Sequence, residues 1–238
     1  MMPPPADAVA VVIPTFNEAE SIAVVVAELP RDVVGRIIVV DGGSSDGTQA
    51  AARHAGADVI DVGRGYGLAC LTGAQKADGA DIIVFMDGDG ADDPAAFAAL
   101  IAPIRAGTCD FVIATRARGE REPGSMASHQ IVGGLVAGWL TKLLYGVRYT
   151  DMCAFRAIRR DTLLKLGMRE LTYGWNLEMQ MRAARAGLRV RELPVAYRRR
   201  RGGESKVAGS LRGSIKAALK IMSTFVRVAI EPIRQRAP

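Results

Sequence analysis

The first 115 residues alternate short, β-branched apolar runs with longer alanine-rich stretches of helical period, and this alternation narrows the choice of fold more than any other feature. Runs at 9–13, 36–40, 58–62, 82–86 and 111–114 are bounded by Gly, Pro or Asp and predict strands. Between them, 19–29, 47–55, 68–77 and 94–106 predict helices, the last with Asp93 as its N-cap and Pro94 at its first position. The strands are apolar almost throughout, as parallel strands covered on both faces are. The expectation is an α/β fold around a mostly parallel central sheet, with ligands at the carboxyl ends of its strands.

Beyond Thr115 the pattern changes. Residues 116–128 are polar, charged and Gly-containing, and predict a mobile loop. The stretch 131–145, IVGGLVAGWLTKLLY, is the most apolar in the chain but shorter than the roughly 20 residues a bilayer span requires. It predicts a helix that is either buried or facing a membrane. Strands at 153–158 and 190–197 flank a helix at 175–186. In 211–230, Arg212, Lys216, Lys220 and Arg227 fall on one narrow helical stripe, opposite Leu211, Ile215, Leu219, Met222, Phe225 and Val226. Such a cationic amphipathic helix suits an anionic membrane interface, and equally a helix packed on the domain with its basic residues in water.

The chain is long enough to bury a substantial core. Cys70, Cys109 and Cys153 are far apart and form no C-x-x-C pair, so reduced thiols in a cytoplasmic protein are expected. The opening MMPPPADAVA has neither a basic nor an apolar signal-peptide region. Residues 1–110 carry six Lys/Arg against 16 Asp/Glu, a net −10, whereas 111–238 carry 25 against nine, a net +16. That asymmetry suggests metal on one side and anions on the other. The basic residues are not interleaved with aromatics, which argues against nucleic acid as a partner. His54 and His129 are isolated and predict no metal cluster.

The polar chemistry gathers at strand ends. The first strand runs into Pro14-Thr15-Phe16-Asn17-Glu18, the second into Asp41-Gly42-Gly43-Ser44-Ser45-Asp46-Gly47-Thr48, and the fourth into IVFMDGDGADDP. Asp41 and Asp46 could simply cap backbone N–H groups in an Asx turn. Asp87, Asp89, Asp92 and Asp93 repel one another, so either a cation balances them or the segment is an exposed turn balanced by water. Asp87 and Asp89, two apart, can approach one divalent ion together. Hard oxygen ligands with no nearby His or Cys suit Mg²⁺ or Mn²⁺, with water and phosphates completing the shell.

Five segments, VVIPTFNEAESI, IIVVDGGSSDGT, MDGDGADDP, TDMCAFRAI and ELPVAYRRRRGGESKV, resemble in order those of the family 2 glycosyltransferases of the GT-A fold. Within that family the resemblance is to the dolichyl- or polyprenyl-phosphate hexose synthases. It implies a GT-A catalytic domain at 1–207, with a nucleotide-sugar and metal-binding half at 1–115 and an acceptor-binding half at 116–207, then the helix and tail at 208–238. It places the nucleotide at Pro14, Thr15, Asn17, Glu18 and Asp41, with Asp87 by the base and ribose, the metal on Asp89 with Asp87, and a diphosphate contact at Arg64. Ala91 stands where that branch often carries Gln as a further metal contact, leaving Asp92 or water for that place. Asp151 is implied as the base or acceptor-orienting group, although the family's TSGFR wording is altered here to MCAFR. Arg116 is implied as a phosphate-binding arginine at the reaction centre, and Arg118, Arg201 and Lys206 as contacts to the acceptor phosphate. Glu178 is a second candidate base, its competing reading an exposed helical glutamate.

The implied activity is inverting transfer of a hexose from a UDP- or GDP-sugar to a polyprenyl phosphate. It would occur at the cytoplasmic membrane face, with peripheral contact through the C-terminal helix. The same donor chemistry on a soluble or saccharide acceptor is the second reading, and a non-catalytic nucleotide-binding scaffold the third.

Overall fold

The computed structural model describes residues 8–202 and 211–231, without the side chains of 211–217. Seven strands, β1 (Val9–Thr15), β2 (Arg36–Asp41), β3 (Asp58–Asp61), β4 (Ile82–Phe85), β5 (Phe111–Thr115), β6 (Arg156–Arg159) and β7 (Val190–Pro194), form one sheet in the order β3-β2-β1-β4-β6-β5-β7. β1 pairs in parallel with β2 and β4, β2 with β3, and β5 with β7. β6 runs antiparallel between β4 and β5. The reversal puts the start of β6 at the same rim as the ends of β1, β2, β4 and β5, so the segment before it can reach their polar loops.

The helices are α1 (Ile22–Glu28), α2 (Thr48–His54), α3 (Tyr66–Lys76), α4 (Phe97–Arg105), α5 (Ser128–Tyr145), α6 (Arg160–Lys165), α7 (Trp175–Arg185) and α8 (Leu211–Ile230). α1 begins three residues later than its periodicity suggests, because the preceding backbone is held elsewhere. The N–H groups of Asn17, Glu18 and Ala19 donate to Ser44 Oγ, Thr48 Oγ1 and Asp46 Oδ2 of the loop after β2. Asp93 caps as expected, its carboxylate accepting from Ala95 N at 3.1 Å, although a 3-10 turn (Pro94–Ala96) precedes α4. β6 starts three residues late and β7 stops at Pro194. In each case the neighbouring chain turns away to make contacts at the rim, through Asp151 and Tyr197.

α3 and α7 cover one sheet face. Gly73 of α3 lies so close to Val12 and Val40 that a Cβ there would collide with Val12, and Trp175 of α7 meets Phe85 edge-on at 6.2 Å. α5 and α8 pack on α7 through a small second cluster of Ala137, Leu177, Met181 and Val228. α5 approaches by its small residues, Gly134, Ala137, Gly138 and Thr141. Its large ones, Val132, Leu135, Val136, Trp139, Leu143 and Leu144, are exposed. A Cβ on Gly138 would fall on the Tyr149 carbonyl, whereas one on Gly133 meets nothing within 4 Å. Gly138→Ala is therefore expected to cost about 1–3 kcal/mol by urea unfolding. Gly133→Ala should be neutral or gain about 0.5–1 kcal/mol.

α8 packs on the domain, as one of the two readings of its amphipathic pattern expects. Its basic residues Lys220 and Arg227, rather than being simply solvated, pair with the protein's own Glu170 and Glu178 while staying partly exposed. Thr224 and Val228 are buried, while Leu219, Met222, Val226 and Ile230 are exposed, Ile230 at 76%. No helix among the described residues is long and apolar enough to cross a membrane. All three cysteines are buried and free.

Candidate active site

A cleft of about 1140 Å³ opens at the rim where β1, β2 and β4 end. Of the residues expected there, Pro14, Thr15, Glu18, Arg64, Asp87 and Asp89 line it. Asp41 lies behind the lining, buried, and its carboxylate accepts from Thr15 Oγ1, Ser44 N and Oγ, Gly43 N and Gln49 Nε2. Burial pushes its pKa up, and these hydrogen bonds outweigh that and hold it below the usual carboxylate range. Asn17 adopts a left-handed conformation with φ 52° and accepts from Ser45 N, tying the loops after β1 and β2 together. The Asx-turn reading thus holds for Asp41 and Asp46 as a description of what their carboxylates do, and the loop they fix contributes Gly42 to the cleft lining.

The acid cluster is not a plain exposed turn. Asp92 is buried, and its Oδ2 accepts from Asp87 N at 3.1 Å. Asp87 accepts from Tyr66 Oη at 3.3 Å. Burial, then repulsion from Asp89, pushes Asp87 up to about 6; burial, then Asp87 and Asp89, pushes Asp92 up to about 8. Carboxyls so crowded are short of positive charge, and this donor set fits a hard divalent cation. Among the described residues no group of three or more His, Cys, Asp and Glu could hold a metal by itself. Asp89 and Asp87 are the residues that would hold one, with other ligands needed from outside the protein.

The raised pKa values have a thermodynamic consequence. Groups whose folded pKa exceeds the unfolded value stabilise the fold when protonated, and that contribution is lost as pH rises through about 6 and about 8. The metal-free protein is expected to melt lower at pH 8.5 than at pH 5.5. Mn²⁺ should raise the melting temperature more at the higher pH, as read by scanning calorimetry.

Arg116 and Asp151 meet beside this cluster. Arg116 Nε and Nη2 donate to Asp151 Oδ2 and Oδ1, both at 2.8 Å, and Arg116 N adds a third bond at 2.8 Å. The Asp151 carboxyl is enclosed, which raises its pKa, but the Arg116 guanidinium more than offsets this and holds it low. Arg116 also lies 4.9 Å from the Tyr197 ring centre. Neither residue forms part of the cleft lining.

Glu178 stands apart. It is neither exposed nor free: its carboxylate is fully buried and accepts from Arg169 N, Glu170 N, Arg182 and Arg227 beneath α8. Such saturation fits the anchoring of α8 and leaves no lone pair poised over the cleft. Arg118 lies in a separate hollow with Glu120 and Pro194. Arg201 turns its guanidinium to Glu28, while its backbone N donates to Asp89 O at 2.9 Å. Lys206 lies outside the described residues.

Sequence assigns no role in the cleft to several lining residues, Arg200, Tyr66 and Lys220 among them. Arg200, not Arg201, enters the cleft, 3.2 Å from Glu18 and 3.6 Å from Asp89. Tyr66 sits between two glycines at the start of α3, with nothing local to mark that its hydroxyl reaches Asp87. Lys220 arrives from α8 with Leu219 and Ser223, where periodicity marked a stripe but not the side it would face.

The model of glycosyl transferase family 2 matches residues 10–167. The chain belongs to glycosyltransferase family 2. A glycosyltransferase of Mycobacterium tuberculosis is 39% identical over 217 residues, 90% of this chain and 95% of its own. The undecaprenyl-phosphate mannosyltransferase of Micrococcus luteus is 32% identical, covering 85% of this glycosyltransferase and 88% of the relative. The polyprenol monophosphomannose synthase of Mycolicibacterium smegmatis is 31% identical, over 84% and 81%. Among solved structures, glucosyl-3-phosphoglycerate synthase of M. tuberculosis, bound to Mn²⁺, UDP-glucose and phosphoglyceric acid, superposes with a TM-score of 0.76 at 23% identity, covering 95% of this chain and 81% of that one. That likeness establishes the GT-A fold of this glycosyltransferase.

Proposed function

We propose that this glycosyltransferase moves a hexose from a UDP- or GDP-sugar to a polyprenyl phosphate, with inversion, using Mg²⁺ or Mn²⁺. The observation that carries the reading is the Arg116–Asp151 pair, in which both oxygens of the implied base are bound by one guanidinium. A neutral hydroxyl acceptor needs a free base within reach. A phosphomonoester, with a second pKa of about 6, is already ionised at neutral pH and does not. Relatives named for undecaprenyl phosphate and polyprenol monophosphomannose support the same acceptor class.

In this reading Pro14, Thr15, Glu18 and the loop fixed by Asp41 bind the nucleotide, and Asp87 and Asp89 would hold the divalent cation. The cation supplies Lewis-acid stabilisation of the departing nucleoside diphosphate. Arg64 and Arg200 neutralise phosphate oxygens from the protein side. Arg116, oriented by Asp151, supplies fixed positive charge beside the reaction centre, and Arg118 and Lys206 fall to the basic acceptor side.

The outward faces of α5 and α8 support peripheral membrane contact. Their exposed Trp139, Leu143, Met222 and Ile230 lie on segments with no Asp or Glu between 123 and 150 or between 205 and 230, while Lys142 and Arg148 add positive charge. It is the apolar stripe of α8, rather than the cationic one, that would meet lipid. Wild type is expected to sediment with anionic vesicles, and Trp139→Glu with Leu143→Glu to weaken this tenfold or more, on the order of the burial energy of the two side chains.

The test of the activity is incubation of purified protein, divalent metal and a panel of labelled UDP- and GDP-hexoses with undecaprenyl phosphate. Labelled lipid supports the reading and names the donor. Labelled soluble product with a saccharide or small phosphate acceptor would move the activity to the second reading. Nucleotide binding without turnover on any acceptor would leave the scaffold.

A further inference from the structure

Three cations line the cleft among the described residues: Arg64, Arg200 and Lys220. The first two have neighbours within the nucleotide side, Arg64 lying 3.5 Å above the Phe16 ring and Arg200 pairing with Glu18. Lys220 comes from α8 and lines the cleft together with Thr172, Tyr173 and Ser223. Its Nζ rests 3.3 Å from Glu170 Oε2, and its side chain is 43% exposed. Glu170 is buried and does not depend on it. The same carboxylate accepts from Thr172 N and Oγ1 and from Thr224 Oγ1, and lies 3.5 Å from Arg227 Nη2. Removal of Lys220 therefore leaves Glu170 with hydrogen bonds and a countercharge, so the exchange of partners costs little.

A bound diphosphate and an acceptor phosphate bring more negative charge than one divalent cation balances beside Asp87 and Asp89. A compact ammonium on a flexible stem can follow a phosphate oxygen as the ligand arrives. We propose that Lys220 is a substrate-binding residue, delivered by the C-terminal helix, which leaves Glu170 to bind a phosphate group of the ligand. On this view α8 is a working wall of the site. The inference rests on the reading above that the cleft takes phosphorylated ligands.

The test uses the full-length protein with Lys220→Ala, Lys220→Arg and Arg227→Ala. Arg227 fastens α8 to Glu178 and Glu170 but does not line the cleft. Donor and acceptor are varied separately in steady-state assays. Lys220→Ala is expected to raise one KM about tenfold, the scale of losing a charged hydrogen bond. Lys220→Arg should restore most of it, and Arg227→Ala should lower the melting temperature with a much smaller change in that KM. A rise confined to the donor assigns the diphosphate; one confined to the acceptor assigns its phosphate. An unchanged KM, or equal losses in Lys220→Ala and Arg227→Ala without rescue by arginine, overturns the proposal. If wild type turns over no donor, the activity reading has failed separately. The inference is then decided by calorimetric titration of inorganic pyrophosphate with Mn²⁺, where weaker binding by Lys220→Ala supports it and equal binding overturns it.

Discussion

Asp89→Ala is expected to lower turnover on the order of 10³-fold while leaving the metal-free protein no less stable than wild type. The two halves of this expectation have one cause. Asp89 lines the cleft, and its negative charge is among those pushing Asp87 and Asp92 up. With no cation bound, its removal relieves repulsion. With substrate bound, its removal takes away one of the two carboxylates proposed to hold the cation. Asp89→Asn keeps the possibility of accepting from Ala91 N, a bond of 3.0 Å in the wild type, but loses the charge. It should be nearly as inactive, which separates the charge from the turn it caps. Turnover, thermal melting and Mn²⁺ titration on the same three proteins check this. Activity within tenfold of wild type in both variants would exclude Asp89 from the metal site.

Arg116→Ala is the second large effect, and here stability falls with activity. Asp151 is buried, and Arg116 supplies both side-chain partners of its carboxylate and a backbone donor. Deleting the guanidinium strands a buried charge, a loss of about 3–5 kcal/mol near neutral pH. Asp151 has a folded pKa held below the unfolded one, so the stability it contributes is present above about pH 4 and is lost as pH falls through the folded value. The gap between wild type and variant in urea unfolding should therefore be wide at pH 7 and shrink in acid. Turnover should drop as well, because Arg116 also lowers the pKa of Asp87 and Asp92 through space. A gap independent of pH would mean that the variant suffers from lost packing instead.

Much of residues 1–115 could be read from sequence because the signals there are local. β-branched runs ending in Asp or Pro-Thr fix both the strand and the loop at its tip, and a parallel sheet brings those tips together. The same logic located Asp87 and Asp89 and the cap at Asp93. What escaped depends on partners far along the chain. Periodicity shows that Lys220 and Arg227 share a stripe, yet their acids, Glu170 and Glu178, lie about 50 residues earlier and decide which way the helix turns. The four consecutive arginines illustrate the same limit. Arg198 goes to Glu28 and Asp93, Arg199 to Glu122 and the Pro123 carbonyl, Arg201 to Glu28, and Arg200 enters the cleft. Composition could say that not all would face one ligand, but only the fold chooses which. α6, at six residues, is too short for periodicity to register. The pairing of Asp151 with Arg116 follows from the reversed β6, a topological fact with no local signature.

An ionised phosphate as the acceptor would make a free base unnecessary. The most direct measurement supplies labelled donor with undecaprenyl phosphate and, separately, with undecaprenol, the same lipid ending in a hydroxyl. The account predicts labelled product from the phosphate alone, with a rate that rises with pH as the acceptor's second proton leaves near pH 6. Equal transfer to the alcohol would contradict it and require a base that the Arg116-bound Asp151 does not provide.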